Sequence, residues 1–183
     1  MYGLVNMAIH DMVCSQFGED TWNEIRHKAE VEVDTFISME SYPDDLTHRL
    51  VKAASIVLEL PASAIMQAFG EFWVQYTFQK GYGELMAMSG DTLPEFLQDV
   101  DNLHTRIGIN FPKLQPPSFD CEEMEEQTLH LHYHSHREGL APMVIGLVKG
   151  LGTYLNTEVE VTQTQNKSDC GDHDEFSIRY KPK

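Results

Sequence analysis

His104 is the residue whose setting in this sequence most clearly calls for a chemical partner. Leu93, Leu97, Val100 and Ile107 recur at the spacing of an amphipathic helix, and His104 falls on the same apolar face. A buried imidazole must either form a hydrogen bond or bind a metal. Helix spacing alone favours a core histidine bonded to a backbone carbonyl, with a metal ligand as the alternative.

A second group of side chains comes from a segment that alternates with a period of two, as a β-strand does. Leu129 and Leu131 mark the inward face of that strand, so Tyr133, Ser135 and Arg137 point the same way. All three side chains can donate hydrogen bonds, and arginine carries a fixed positive charge. Such a row matches a carboxylate or phosphate group. An internal ion pair with one of the 29 acidic residues explains it equally well.

The opposite face of the same strand carries four histidines. Two histidines at positions i and i+2 can share one ion, but a flat strand cannot bring all four to one centre. The pattern therefore favours a solvated face, and a histidine-rich divalent-metal-binding protein is the alternative. The four residues are His130, His132, His134 and His136.

The sequence lacks the common motifs of catalysis. It contains no glycine-rich phosphate loop, no Gly-x-Ser-x-Gly and no His-Glu-x-x-His. It also lacks Cys-x-x-Cys-His, the motif that attaches haem covalently. The acidic residues cluster in solvent-type runs such as 122–126 and not in acid–base pairs. These features indicate a binding protein and not an enzyme.

Composition narrows the class of protein further. The chain has 183 residues and a formal net charge of −16, which argues against nucleic acid and anionic membranes as partners. No apolar run approaches the roughly 20 residues of a membrane span, and the N-terminus has no signal-peptide pattern. Cys14, Cys121 and Cys170 lie far apart, which favours a reducing compartment. We expect a single cytoplasmic domain over residues 1–183.

Helix signals dominate the first two thirds of the chain, and strand signals follow. Alternation predicts strands from residue 127, over 158–164 and over 175–181, with a hairpin connection over 166–174. The sequence thus predicts an α+β fold, in which a helical N-terminal part packs on a C-terminal α/β part with a four-stranded antiparallel sheet. Asp91 is the expected cap of the helix that carries His104. Helices are predicted over about 4–13, 21–31, 44–58, 61–76, 84–88, 91–107 and 139–156.

The segment Tyr133-His134-Ser135-His136-Arg137 matches the Tyr-x-Ser-x-Arg motif of the H-NOX family, the haem nitric oxide/oxygen-binding domains. Three further matches support this resemblance. His104 lies in an Asp101-x-x-His104 context where the family places its proximal haem ligand, and the pair Pro116-Pro117 and the opening residues 1–6 also resemble the family. The resemblance covers the whole chain. It suggests a stand-alone bacterial form of the cyanobacterial type, related to the N-terminal haem domain of soluble guanylate cyclase β subunits.

The resemblance implies that non-covalent haem b lies between the helical part and the sheet part. His104 would be the axial iron ligand, which would explain an imidazole on an apolar face. Tyr133, Ser135 and Arg137 would hold the two propionates. Pro117 would press on the macrocycle and help to distort it, and Val5 would crowd it from another side.

The family also implies which gas binds. Oxygen-binding members carry a distal tyrosine on the helix that follows the motif, and the alignment places Met143 at that position. With Leu147 and Val5 this indicates an apolar pocket, and hence a sensor that binds NO and CO and discriminates against O₂. Trp73 falls near a position that is polar in oxygen-binding members. An O₂-binding haem protein is therefore the alternative if Trp73 donates a hydrogen bond.

The mechanism implied by the resemblance is ligand-driven. NO weakens the bond between iron and His104, the haem relaxes, and the helix that carries His104 shifts relative to the sheet. An effector in trans, typically a histidine kinase or a diguanylate cyclase, would sense that shift. Three alternatives remain open: a divalent-metal-binding protein, a haem protein of another class, and a carboxylate binder that uses Tyr133, Ser135 and Arg137.

Overall fold

The computed structural model describes residues 1–125 and 127–183, without the side chain of Cys170. Glu126, in the acidic run discussed above, lies outside the described residues. The strands are β1 (Ser118–Met124), β2 (Thr128–His134), β3 (Thr157–Gln165) and β4 (Asp174–Pro182). The helices are α1 (Gly3–Phe17), α2 (Glu19–Lys28), α3 (Asp44–Val57), α4 (Ala62–Thr77), α5 (Gly83–Ala87), α6 (Leu93–Gly108), α7 (Ala141–Tyr154) and α8 (Lys167–Cys170).

Residues 1–69 form a compact helical unit. Helix α1 packs on α2, and α2 packs on α3. Gly18 separates the first two helices with a φ of +88°, a conformation that glycine adopts without strain. The buried Thr47 hydroxyl donates to Oδ1 of Asn6 at 2.8 Å and so connects α3 to α1. The apolar core of this unit includes Ala8, Ile9, Val13, Trp22, Ile25 and Leu50.

Residues 70–183 form the second compact unit. Helix α4 continues into it and ends in a wider, π-helical turn before α5, where Gly81 has a φ of +98°. No single helix in the described part of the chain has both the length and the apolar composition to cross a membrane. By those two criteria, α3 together with α4 and α5 qualifies only as a bent pair.

The prediction that Asp91 caps α6 is wrong, because Thr92 is the N-cap. The Thr92 hydroxyl accepts a hydrogen bond from the Glu95 amide at 3.4 Å. The Glu95 carboxylate in turn accepts from the Thr92 amide at 3.2 Å and from the Asp91 amide at 3.1 Å. This reciprocal capping box satisfies amides that the first helical turn leaves unpaired, which a cap at Asp91 would not do.

The sheet has four strands in the order β1-β2-β4-β3, and every neighbouring pair is antiparallel. The predicted α+β class and four-stranded antiparallel sheet are therefore confirmed. The sequence pattern located no strand before Gln127, yet β1 lies there at the edge of the sheet. Its acidic residues are exposed, so β1 shows little of the apolar alternation by which strands are recognised.

One face of the sheet is buried and the other is open. Leu129, Leu131 and Tyr133 of β2 are buried, as predicted, together with Phe176 and Ile178 of β4. Helix α7 packs on β3, and α6 packs on β1. Within the second unit, α6, α7 and the sheet share one apolar core, to which the two helices contribute Leu93, Leu97, Val100, Leu103, Val144, Val148 and Leu151.

Candidate functional site

His104 is half-buried on α6, one turn after the buried Val100 and next to the buried Leu103. Its Nδ1 atom is fully buried without a hydrogen-bond partner, and neither ring nitrogen bonds to a described residue. A core histidine bonded to a carbonyl would not leave this atom unpartnered. Burial lowers the pKa of His104, and the charge of Asp101 opposes that shift only in part. Neutral imidazole, the form that binds a metal, is therefore favoured at neutral pH.

Asp101, one turn before His104, ties α6 to the start of β1. Its Oδ1 accepts a hydrogen bond from the Phe119 amide at 3.0 Å, and its Oδ2 accepts from the Ser118 hydroxyl at 2.7 Å. Pro117, half-buried, immediately precedes this anchored pair. The carboxylate thus fixes the spacing between the helix that carries His104 and the edge strand of the sheet.

Aromatic contacts continue from His104 into the sheet. The ring centroids of His104 and Phe119 lie 6.0 Å apart, and those of Phe119 and Tyr133 lie 5.2 Å apart. Phe119 is a residue that the sequence analysis missed, because it lies on the strand β1 that the pattern did not locate. A signal was present in the alternation of Phe119 with Cys121, both half-buried on the edge strand.

Tyr133 is buried, whereas Ser135 and Arg137 are half-buried and lie just beyond the end of β2 at His134. Strand alternation therefore places Tyr133 correctly but does not govern the other two, which follow in a loop. The Arg137 amide donates to the Ser135 hydroxyl at 3.1 Å, and Nη1 of Arg137 donates to the Gln115 carbonyl at 3.0 Å.

Electrostatics keeps Tyr133 a hydrogen-bond donor. Burial raises the pKa of its hydroxyl, and the buried Asp174 carboxylate adds to the rise. A hydrogen bond with Ser135 and the charge of Arg137 offset part of that shift. The phenol therefore stays protonated at neutral pH and can donate to an anion, as Ser135 and Arg137 can.

These residues fit a haem group. Haem of the b type needs a neutral axial imidazole for its iron and donors for its two propionates. His104 offers an imidazole whose ring nitrogens have no described partner, and aromatic contacts link it to Tyr133. Tyr133, Ser135 and Arg137 offer two hydroxyl groups and a guanidinium in one short segment.

The residues expected to face the gas come from α4 and α7. The two helices touch at Gly70, where an added Cβ would lie 2.3 Å from the Met143 carbonyl oxygen and 2.7 Å from the Leu147 amide nitrogen. Trp73 follows Gly70 on α4, and Trp73, Met143 and Leu147 are all half-buried. Val5, the fourth expected residue, is half-buried on α1 in the other unit.

Two tyrosines lie on these helices, Tyr154 on α7 and Tyr76 on α4. Helix α7 has no tyrosine before Tyr154 at its last position, and that ring packs on Phe78 with centroids 5.0 Å apart. Tyr154 follows Leu147 by seven residues, a rise of about 10 Å along a helix. Tyr76, which the sequence analysis did not consider, is buried beside Trp73 with ring centroids 6.3 Å apart.

Two thiols have environments that disfavour reactivity. Burial, followed by the charges of Asp120, Glu123 and Glu122, raises the pKa of Cys121 to about 12. Burial and Glu19 raise the pKa of Cys14 to about 11. Both thiols therefore stay protonated at neutral pH, whereas redox sensing depends on the thiolate.

Comparison with known proteins identifies the family. A sequence model described as haem-NO-binding matches residues 2–163. The soluble guanylate cyclases gcy-35 and gcy-31 of Caenorhabditis elegans are 34% and 33% identical to this chain over 173 and 162 residues. These alignments cover 92% and 88% of this chain but 25% and 23% of the relatives. The chain thus spans about a quarter of the curated relatives it matches.

Solved H-NOX structures have the same fold. An H-NOX protein from S. oneidensis in the Fe(II)NO ligation state superimposes with a TM-score of 0.89 at 20% identity, covering 99% of both chains. Unliganded Fe(II) H-NOX from K. algicida gives a TM-score of 0.85 at 20% identity, covering 100% of this chain and 98% of that one. The family predicted from the Tyr-x-Ser-x-Arg motif is confirmed. The chain belongs to the haem-NO-binding family of H-NOX domains, which bind haem and diatomic gases such as NO and CO and have no catalytic activity of their own.

Proposed function

We propose that this chain is a haem-based gas sensor that binds NO and CO, discriminates against O₂ and signals to an effector protein in trans. The observation that carries the proposal is the unpartnered imidazole of His104, linked through Phe119 to Tyr133. Bound haem b would supply a ferrous iron at which a diatomic gas is taken up. The rest of the function depends on what the chain's own residues do around that group.

His104 would hold the iron, and Tyr133, Ser135 and Arg137 would hold the propionates. The protonated phenol, the hydroxyl and the guanidinium are donors suited to carboxylates, and the guanidinium can bind one with two parallel bonds. Pro117, next to the anchored Ser118, would limit how flat the macrocycle can lie, and the resemblance to the family implies a similar role for Val5. Residues 1–183 would then act as one haem-binding domain.

Discrimination between gases would depend on the absence of a strong donor. A hydrogen bond from the protein favours O₂ far more than NO or CO. Met143 and Leu147 are apolar and half-buried, and the tyrosine of α7 lies at the far end of that helix. Trp73 on α4 is a candidate donor, and a hydrogen bond from it to the gas would favour the alternative of an O₂-binding protein.

Signal transfer would run along α6. Release of His104 would free that helix on one face, while Asp101 would still bind the Phe119 amide and the Ser118 hydroxyl. A shift of α6 would therefore displace the edge strand β1, whose acidic face is exposed. A histidine kinase or a diguanylate cyclase would sense this displacement. This chain aligns with about a quarter of the length of a guanylate cyclase. That similarity supports a second candidate effector, a cyclase of that kind.

Absorption spectroscopy tests the gas preference directly. The purified ferrous protein, kept under nitrogen, should show a Soret band that shifts after NO and after CO and does not shift to a new stable position in air. A stable oxy spectrum in air, distinct from that of the ferric protein, would mean that Trp73 or another donor serves the gas, and it would favour oxygen sensing. Failure to develop a Soret band after haem addition would overturn the proposal.

Replacement of Asp101 by alanine tests the route of the signal. The change removes two hydrogen bonds to a charged acceptor, for which we expect a loss of about 1–3 kcal/mol in the free energy of unfolding. Hydrogen exchange should show that the Phe119 amide exchanges faster and that exchange in β1 no longer responds to NO. Ser118→Ala removes only one of the two bonds and should have a smaller effect. An unaltered NO response of β1 in Asp101→Ala would contradict this route.

A further inference from the structure

We propose a second metal site, for a divalent cation such as Zn²⁺, on the open face of the sheet. His132, His173 and Glu175 would supply its three protein ligands. His132 Nδ1, His173 Nε2 and a Glu175 carboxylate oxygen lie within 4.8 Å of one another, and all three residues are half-buried. The site uses the face of β2 opposite to Tyr133 and so is separate from the proposed haem ligands.

Sheet topology brings these three residues together. His132 on β2 lies directly opposite Glu175 on β4 in the antiparallel register. His173 immediately precedes β4, two residues before Glu175, and its Nε2 lies 3.2 Å from the Glu175 carboxylate. No local sequence motif predicts this set of ligands, because its members come from segments about 40 positions apart.

The distances between the ligand atoms match those around a tetrahedral ion. Nδ1 of His132 lies 3.0 Å from Nε2 of His173 and 3.7 Å from Oε1 of Glu175. Nε2 of His173 lies 3.2 Å from the same carboxylate oxygen. Zinc bonds of about 2.0–2.1 Å in tetrahedral geometry require ligand atoms about 3.3 Å apart. A cation that replaces the proton of the hydrogen bond between His132 and His173 can therefore enter with shifts of only a few tenths of an ångström.

Surrounding groups orient His173 for this role. Its Nδ1 lies 2.6 Å from Oδ1 of Asp172, which directs the other ring nitrogen toward His132 and Glu175. A histidine bound to a metal commonly donates its second N–H to a carboxylate in this way. The His134 ring stacks on His173 with centroids 4.3 Å apart and an interplanar angle of 26°. This contact limits rotation of the imidazole.

The site differs from the histidine row that the sequence displays. His130 and His136 are exposed and outside the group, and His130 lies opposite Ser177 on β4. His134 would act through its stacking on His173. The chain's net charge of −16 attracts cations to its surface, and imidazole with carboxylate is a ligand set suited to zinc. Three protein ligands leave the fourth position to water, as in open zinc sites.

A second group of potential ligands provides a comparison. His10, Cys14 and Glu19 in the N-terminal unit also lie close together. The Cys14 thiol donates a hydrogen bond to Glu19 at 3.2 Å, so this potential ligand is protonated. A cation would have to displace that proton from a thiol whose pKa is raised to about 11. We therefore use His10→Ala as one control.

Titration of the untagged, haem-loaded chain with Zn²⁺ tests the proposal by calorimetry. We expect saturable binding of one zinc ion per chain, weakened at least tenfold by His132→Ala and by His173→Ala. Asp172→Asn leaves all three ligands in place and should weaken binding about 10–100-fold, as loss of a supporting carboxylate does. His130→Ala is the matched control on the same face of β2, and it should bind zinc like the unmodified chain, as should His10→Ala.

Thermal unfolding provides a second measurement. Zinc should raise the Tm of the unmodified chain and of His130→Ala, and it should leave the Tm of His173→Ala unchanged. An intact Soret band and an unaltered Tm in EDTA will show that His132→Ala and His173→Ala are folded. Absence of saturable binding would overturn the proposal. Equal weakening by His130→Ala and His132→Ala would also overturn it, because it would indicate adsorption along the histidine row.

Discussion

Replacement of His104 by glycine should leave the haem iron without a protein ligand until free imidazole is added. The substitution removes the side chain whose ring nitrogens have no described partner, and it leaves a space of imidazole size beside Leu103 and Phe119. Free imidazole should occupy that space and restore the Soret spectrum of the unmodified ferrous protein. The iron–histidine vibration should disappear in the variant and return with imidazole.

The helix itself should survive the His104→Gly change. Glycine inside a helix costs about 0.5–1 kcal/mol relative to alanine, while the Thr92 capping box and the buried apolar face of α6 remain. His130→Gly is the control, because it makes the same substitution at an exposed position of β2. It should leave the iron–histidine vibration intact. Normal haem retention with an unaltered iron–histidine vibration in His104→Gly, without imidazole, would remove His104 from the proposed role.

The sequence placed His104 more clearly than it explained why an imidazole lies there. Helical spacing placed His104 on an apolar face, but burial alone implies only that an imidazole needs some partner. The atoms of α6 add the decisive fact, since Nδ1 is buried without a partner. Asp101 was visible only as part of a motif. Its bonds to Ser118 and Phe119 depend on an edge strand whose acidic composition resembles that of a solvated loop.

The alternation of residues along β2 predicted side-chain orientation correctly only within the strand itself. It oriented Leu129, Leu131 and Tyr133 correctly, because all three lie in β2. Arg137 lies beyond the strand, and its position is instead set by hydrogen bonds to Ser135 and to the Gln115 carbonyl. Contacts between distant segments, such as Arg137 with Gln115, leave no mark on local sequence patterns.

Replacement of Arg137 by alanine should make haem dissociate much faster. A hydrogen bond to a charged group contributes about 1.5–3 kcal/mol, so loss of the guanidinium should accelerate haem release about 10–100-fold. The net charge of −16 strengthens this expectation, because the chain as a whole repels the two propionates and a local cation must offset that repulsion. Transfer of haem to excess apomyoglobin, followed at the Soret band, measures the rate.

Two variants separate the role of charge from that of geometry. Arg137→Lys retains the charge but loses the planar fork and the bond from Nη1 to Gln115, so its rate should fall between those of the unmodified chain and Arg137→Ala. Arg179→Ala makes the same change in net charge at an exposed position, where the guanidinium lies 4.0 Å from Glu160. Such a surface pair contributes little, so haem release should stay at the unmodified rate. If Arg137→Ala and Arg179→Ala release haem equally slowly, Arg137 does not hold a propionate.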